Sequence, residues 1–142
     1  MNGPIVVGTD GSETAAVAVA EAIKIAKAFD QPLHIVFAFH PQGVNTRDLP
    51  PEFADAVQSD SNIQAVLDDV AARARASGVK TESHAVTGDA ADAILGVAET
   101  IDAGLIVVGN KGINSVRRYV LGNIPSKVVH HSPCSTYVVH TT

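Results

Sequence analysis

The chain is poor in cysteine, in cationic residues and in long apolar runs, and each shortage closes off a class of function. Its one cysteine, Cys134, has no partner for an internal disulfide, which excludes a small secreted scaffold stapled by bridges. Lys and Arg number 10 against 15 Asp and Glu, a formal net charge of -5. The broad basic footprint that a nucleic-acid backbone demands is missing, so no nucleic acid is expected as a partner. No apolar run approaches the ~18 residues that would span a bilayer, so no membrane partner is expected either. The amino-terminal residues show neither a basic n-region nor an apolar h-region, and a reduced, cytoplasmic location is the expectation.

Familiar phosphate-binding signatures are missing too. A Walker loop needs Gly-Lys followed by Ser or Thr, and the chain has no Gly-Lys dipeptide. After the first apolar run only Gly8 and Gly11 occur, so the GxGxxG fingerprint of dinucleotide enzymes is not there. Neither a GxSxG nucleophile elbow nor an HExxH pair is found.

What is present is alternation of strand and helix patterns. The length of 142 residues and the 46% hydrophobic content suit a single domain over residues 1–142. Strands are predicted at Pro4 to Thr9, Leu33 to Phe39, Val79 to Val86, Leu105 to Val108 and about Ser135 to His140. The third is polar and alternating, with Val79, Thr81, Ser83 and Ala85 on one side and Lys80, Glu82 and His84 on the other, and is expected at a sheet edge. Helical spacing marks Ala16 through about Phe29 behind a Ser12 N-cap, Ile63 to Ala74, Ala91 to Ile101, and a short helix near Ile124 to His131. The segment from Pro41 to about Ala56 reads as a long connection of the kind that often forms a lid or binding loop.

Strands separated by helices predict an α/β domain: a doubly wound, parallel five-stranded sheet in the order 3-2-1-4-5, with helices on both faces. In such a sheet ligands bind beyond the carboxyl ends of the strands, where the order reverses. The turns Gly8-Thr9-Asp10-Gly11-Ser12 and Gly109-Asn110-Lys111-Gly112 then face one another across one crevice. Gly109, Gly112 and Gly122 have the spacing G-x2-G-x9-G. Glycine admits positive φ and lets an anion approach backbone N-H groups, and a helix N-terminus adds free donors and a favourable dipole. Gly109 and Gly112 are therefore expected on one side of a phosphate, with Gly122 delivering the start of the last helix from the other.

This spacing, with IVVGTDGSE at Ile5 to Glu13, the Gly88-Asp89 turn followed by DAIL at Asp92 to Leu95, and SPCSTYVVH at Ser132 to His140, resembles the universal stress protein family along nearly the whole chain. The resemblance implies a dimeric, regulatory binding module for an adenine nucleotide, ATP first, with or without magnesium. It places Asp10, between Thr9 and Gly11, near the ribose and adenine. It places Ala38, Phe39 and Val86 at the base, and Gly109, Asn110, Lys111, Gly112, Arg117, Gly122, Asn123, Ile124, Pro125 and Ser126 around the phosphates. It also implies a homodimer through the last strand, Thr136 to His140, and leaves room for a protein partner.

The chain departs from the family pattern after the third glycine. Nucleotide binders of the family place Ser or Thr there and commonly a second hydroxyl residue two positions on, where this chain has Asn123 and Pro125. A hydrogen bond to a charged group contributes about 1.5 to 3 kcal/mol, so losing one or two weakens binding by about one to four powers of ten. Ser126, Arg117 and Arg118 are candidates to compensate. Two alternatives stay open: a member with weak or no ATP binding that acts through protein contacts or takes AMP or cyclic AMP, and a slow ATP hydrolase. For single residues the plainer roles also stay open. Asn123 and Pro125 suit a helix start, Asp10 suits turn chemistry, and Arg117 and Arg118 suit a solvated face. His130 and His131 project about 100° apart on a helix and do not make a metal pair. Cys134 is expected as a packed thiol rather than a nucleophile.

Overall fold

The computed structural model describes residues 2–39, 60–110 and 122–141. The elements in chain order are β1 (Ile5–Gly8), α1 (Glu13–Phe29), β2 (Leu33–Phe39), α2 (Asp60–Ala76), β3 (Thr81–Thr87), α3 (Ala90–Thr100), β4 (Leu105–Gly109), α4 (Asn123–His131) and β5 (Ser135–Val139). The strands form one sheet in the order β3-β2-β1-β4-β5, and every pairing is parallel. The expected fold class and strand order are both observed.

The central strands are apolar throughout because both of their faces are covered. Ile5 and Val7 of β1, Leu33 and Ile35 of β2, and Leu105 and Val107 of β4 pack with Ala18, Ala22 and Ala26 of α1 and with Leu67 of α2. The alternate residues Val6, Val36, Ile106 and Val108 meet Ala91, Ile94 and Ala98 of α3 and Val128 of α4. Alanine predominates on the buried stripe of α1, which lets the helix lie close to the sheet. The same helix starts where Ser12 Oγ accepts the N-H of Ala15 at 3.2 Å and ends at Asp30, whose left-handed φ of 54° terminates it.

Four strands differ in their bounds from the sequence expectation, β4 by running one residue further, to Gly109. β1 is shorter by a residue at each end, and β5 stops at Val139. β3 runs from Thr81 to Thr87, so Val79 precedes it, and its inner side changes along its length. Thr81 is buried, whereas Ala85, on the same side of the strand, is exposed, and His84 and Val86 are half-buried. The first half of β3 is covered by α2. In the second half cover comes from the opposite face, where Val86 packs into the α3 side of the core. The edge position itself is as expected, with β2 the one strand paired to β3 among the described residues. The connection from Pro41 to Ala56 lies outside the described residues.

Candidate functional site

The carboxyl ends of β1 and β4 open onto a cleft walled by the β1–α1 turn, the ends of β2 and β4, and the first turns of α3 and α4. Gly8 gives its floor room: a Cβ there would stand 2.5 Å from Cδ1 of Ile94, so a larger residue would have to displace that methyl. Thr9 N-H then donates to the Val36 carbonyl at 2.9 Å, which carries the sheet pairing one residue further. Beyond it the chain turns on its own side chains. Thr9 Oγ1 accepts the Gly11 N-H at 3.1 Å, and Asp10 Oδ1 accepts the Ser12 N-H at 2.8 Å. Gly11 has φ +82°, a conformation that strains any other residue. Ser12 and Thr14 place their hydroxyl oxygens 3.2 Å apart at the cleft wall.

On the facing wall, Gly109 ends β4 and Asn110 binds the last strand. Asn110 N-H donates to the Val139 carbonyl, and its Oδ1 accepts from both the N-H and the hydroxyl of Thr141, each at 2.9 Å. The Asn110 carbonyl accepts the N-H of Gly122 at 3.1 Å, so the residues flanking 111–121 meet in one hydrogen bond. Gly122 is buried and is the N-cap of α4, with no side-chain cap. Asn123 is thus the first helical residue, and the capping role open to it in the sequence falls to Gly122. The N-H groups of Asn123 and Ile124 have no partner among the described residues, while Pro125, fully buried against the cleft, has no N-H to offer.

A charged clamp holds the two helices behind this wall. Asp89 caps α3 by accepting the Asp92 N-H at 3.0 Å, and Lys127 of α4 reaches Asp89 at 3.3 Å and Asp92 at 2.8 Å. The Asp92 N-H, aided by Lys127 against some desolvation, holds the Asp89 carboxyl below its ordinary pKa. Hydrogen bonding to Asp92 and then to Asp89 raises that of Lys127.

Of the residues singled out in the sequence, the cleft brings together Thr9, Asp10, Ala38, Gly109, Ile124 and Pro125. Gly11 and Gly122 are not among its lining residues; they stand in the β1–α1 turn and at the N-cap of α4. Phe39 packs instead on the opposite face, with the α1 and α2 core, because neighbours in a strand point to opposite sides. Val86 lines a separate hollow along α3, and Asn110 spends its side-chain oxygen on Thr141. Asn123 is exposed, and Ser126 is half-buried in the first turn of α4 without lining the cleft. Lys111, Gly112 and Arg117 lie outside the described residues. The sequence reading passed over Thr14, Val36, Ile94 and Val108, which also line the cleft. Thr14 was within reach, as a hydroxyl in the first turn of the helix after β1. Ile94 required knowing which turn of α3 crosses β1.

A doubly wound parallel sheet with its cleft at the switch between β1 and β4 defines the class: an α/β domain of the kind in which ligands bind beyond the strand ends. Comparison with known proteins gives the family. The universal stress protein family profile matches residues 1–140, and the chain belongs to that family. Universal stress protein Rv1636 of Mycobacterium tuberculosis is 35% identical over 141 residues, covering 97% of this chain and 96% of the relative. YxiE of Bacillus subtilis is 29% identical over 143 residues, covering 95% and 97%. Among solved structures, a universal stress protein in complex with cAMP matches with TM-score 0.77 and 32% identity, over 99% of this chain and 98% of that one. UspA from Lactobacillus plantarum matches with TM-score 0.78 and 26% identity, over 96% and 97%. No helix among the described residues is long and apolar enough to cross a membrane.

Proposed function

We propose that this chain is a cytoplasmic regulatory module that binds an adenine nucleotide in the β1–β4 cleft and takes a single-phosphate ligand of the cyclic AMP or AMP kind in preference to ATP. The observation that carries the preference is the first turn of α4, where buried Pro125 supplies neither N-H nor hydroxyl and exposed Asn123 does not line the cleft. Among the described residues, two main-chain donors, on Asn123 and Ile124, are left for a phosphate there. The cAMP complex of the 32% identical relative supports a small nucleotide in this fold. Ala38, Ile94 and Val108 offer an apolar wall for the base, and Asp10 has a second carboxylate oxygen for ribose hydroxyls. Asp10 is the one titratable group lining the cleft among the described residues, which supports binding over hydrolysis.

The dimer belongs to the same reading. β5 is the other sheet edge, and Tyr137 on it is 39% exposed, so a second copy has a strand to pair with. Titration of nucleotide-stripped protein with ATP, ADP, AMP and cyclic AMP by calorimetry, with and without magnesium, tests the assignment, and light scattering on the same samples gives the mass in solution. Cyclic AMP or AMP is expected to bind at least about tenfold more tightly than ATP, the minimum effect of one missing charged hydrogen bond. Asn123→Ser with Pro125→Ser is expected to narrow that gap. No heat from any nucleotide at millimolar concentration would end the proposal, and tighter binding of ATP than of cyclic AMP or AMP would end the preference.

A further inference from the structure

At the opposite end of the sheet from the cleft, β2 and β3 bring together a cluster that the nucleotide site does not use. His34 lies opposite Glu82 in the parallel register, and His84 lies opposite Val36, one step further along the same face. His34 Nδ1 and His84 Nε2 are 2.8 Å apart, and Glu82 Oε2 is 3.6 Å from the same His34 nitrogen. All three ligand atoms fall within 4.8 Å of one another. His34 is buried, His84 half-buried and Glu82 exposed, so the group is anchored at one end and open at the other.

From this geometry we infer that His34, Glu82 and His84 form a binding site for a borderline divalent cation of the zinc class. Two imidazoles and one carboxylate are a donor set that such ions accept, with a further position left to water. Nitrogen ligands about 2.0 to 2.1 Å from a tetrahedral ion stand roughly 3.3 Å apart, so the 2.8 Å pair must open by only about half an ångström. Without metal the two rings lie nearly in one plane, 21° apart, with centroids 5.1 Å apart. That spacing exceeds the nitrogen separation by about two ring radii, so the nitrogens face each other along the line of centres. This is the geometry of one N-H···N hydrogen bond. An ion enters when the half-buried His84 ring turns and the bridging hydrogen moves, through solvent, to the far nitrogen of its own ring. The lone pairs of both rings then converge.

The surroundings favour a neutral His34 ring. Burial, then the neighbouring His84, lowers the pKa of His34 against the opposing pull of Glu82. Two cations line the neighbouring hollow, Arg75 of α2 and Lys80. Arg75 is held by the Thr81 carbonyl at 2.9 Å. On the α3 side the charged neighbour is Asp92, already paired with Lys127.

The test is equilibrium dialysis of chelator-stripped, full-length protein against Zn²⁺ at pH 7.5, with Co²⁺ as an optical probe. One ion per chain is expected, with the visible absorption of Co²⁺ in a low-coordinate nitrogen and oxygen site. His84→Gln and Glu82→Gln should each weaken uptake at least about tenfold, whereas changing His130 and His131 to Gln together should leave it unchanged. Glu82 is exposed, so its variant keeps the test valid even if His84→Gln unfolds, and circular dichroism identifies that case. Absence of saturable uptake overturns the proposal. So does uptake that ignores Glu82→Gln, or uptake that disappears with His130 and His131.

Discussion

Gly8→Ala tests the cleft and the packing beneath it in one substitution. The added Cβ would lie 2.5 Å from Cδ1 and 3.2 Å from Cγ1 of Ile94, well inside the ~3.5 to 4.0 Å of a favourable carbon contact. Ile94 is 3% exposed and is backed by the α3 side of the core, so its methyl end has one direction open, into the cleft that it lines. Overpacking of this size costs about 1 to 2 kcal/mol, a fall in Tm of about 3 to 7 °C for a domain of this length. The displaced methyl occupies space assigned to the base, so nucleotide affinity should fall by at least about tenfold, some 1.4 kcal/mol. Ile94→Val removes that methyl and by itself costs about 1 kcal/mol. Adding it to Gly8→Ala should therefore restore affinity and leave the double variant close to Ile94→Val in stability, a favourable coupling of about 1 to 2 kcal/mol. Urea unfolding, with slopes compared to verify a common denatured state, and nucleotide titration on all four proteins give the cycle. Additive losses in both measurements would refute the argument, since they would mean that the methyl introduced by Gly8→Ala and the Ile94 side chain do not compete for space.

Two further outcomes follow from charge. Asp89 holds a carboxyl pKa below its ordinary value, chiefly through the Asp92 N-H and next through Lys127. Its contribution is therefore present above the ordinary carboxylate range and lost as pH falls through the lowered value. Asp89→Ala should lower stability by about 1 kcal/mol at neutral pH and by less in acid, read as Tm at pH 7 and pH 3; an equal loss at both would contradict it. His34 works at higher pH. Its folded pKa lies below the unfolded value of about 6.5, lowered by burial and by His84 against Glu82. The unfolded chain then binds more protons, and stability is complete above pH 6.5 and declines as pH falls below it. His34→Leu should flatten the stability profile between pH 7.5 and 5.5 in metal-free buffer, and an unchanged profile would show that His34 is not the group responsible.

The fold was legible because its signals are local and redundant. Ile5-Val6-Val7 and Leu105 to Val108 are apolar without alternation, as strands covered on both faces must be, and the intervening helices each show one apolar stripe. β3 was harder, since its cover passes from α2 to α3 halfway along and no residue in it announces the change. The cleft followed from topology, through Gly8, Gly109 and Gly122. What escaped depends on contacts between distant positions. Asn110 is captured by Thr141, 31 residues away, and Ile94 reaches Gly8 only once the helix crossing is set. His34 and His84 are 50 residues apart and meet through the β2–β3 register. Phe39 was decidable in advance: if Ala38 faces the cleft, strand alternation turns Phe39 away.

The proposed single-phosphate preference rests on how polar groups are distributed between the two walls. On the β1–α1 side, Thr9 Oγ1, Asp10 Oδ1 and Ser12 Oγ each already accept a backbone N-H, which fixes their directions before any ligand arrives. A hydroxyl that accepts still has its hydrogen to donate, and a carboxylate so engaged has a second oxygen. This wall therefore suits a sugar: it offers donors and one acceptor for ribose hydroxyls, and the Asp10 charge repels phosphate. The phosphate is left to the α4 side, where the helix dipole favours an anion and two main-chain N-H groups are free among the described residues. Two donors at a helix start match one phosphate group. A second and third phosphate need further cations or hydroxyls, and with Asn123 exposed and Pro125 buried these have to come from residues 111–121, Arg117 and Arg118 first among them.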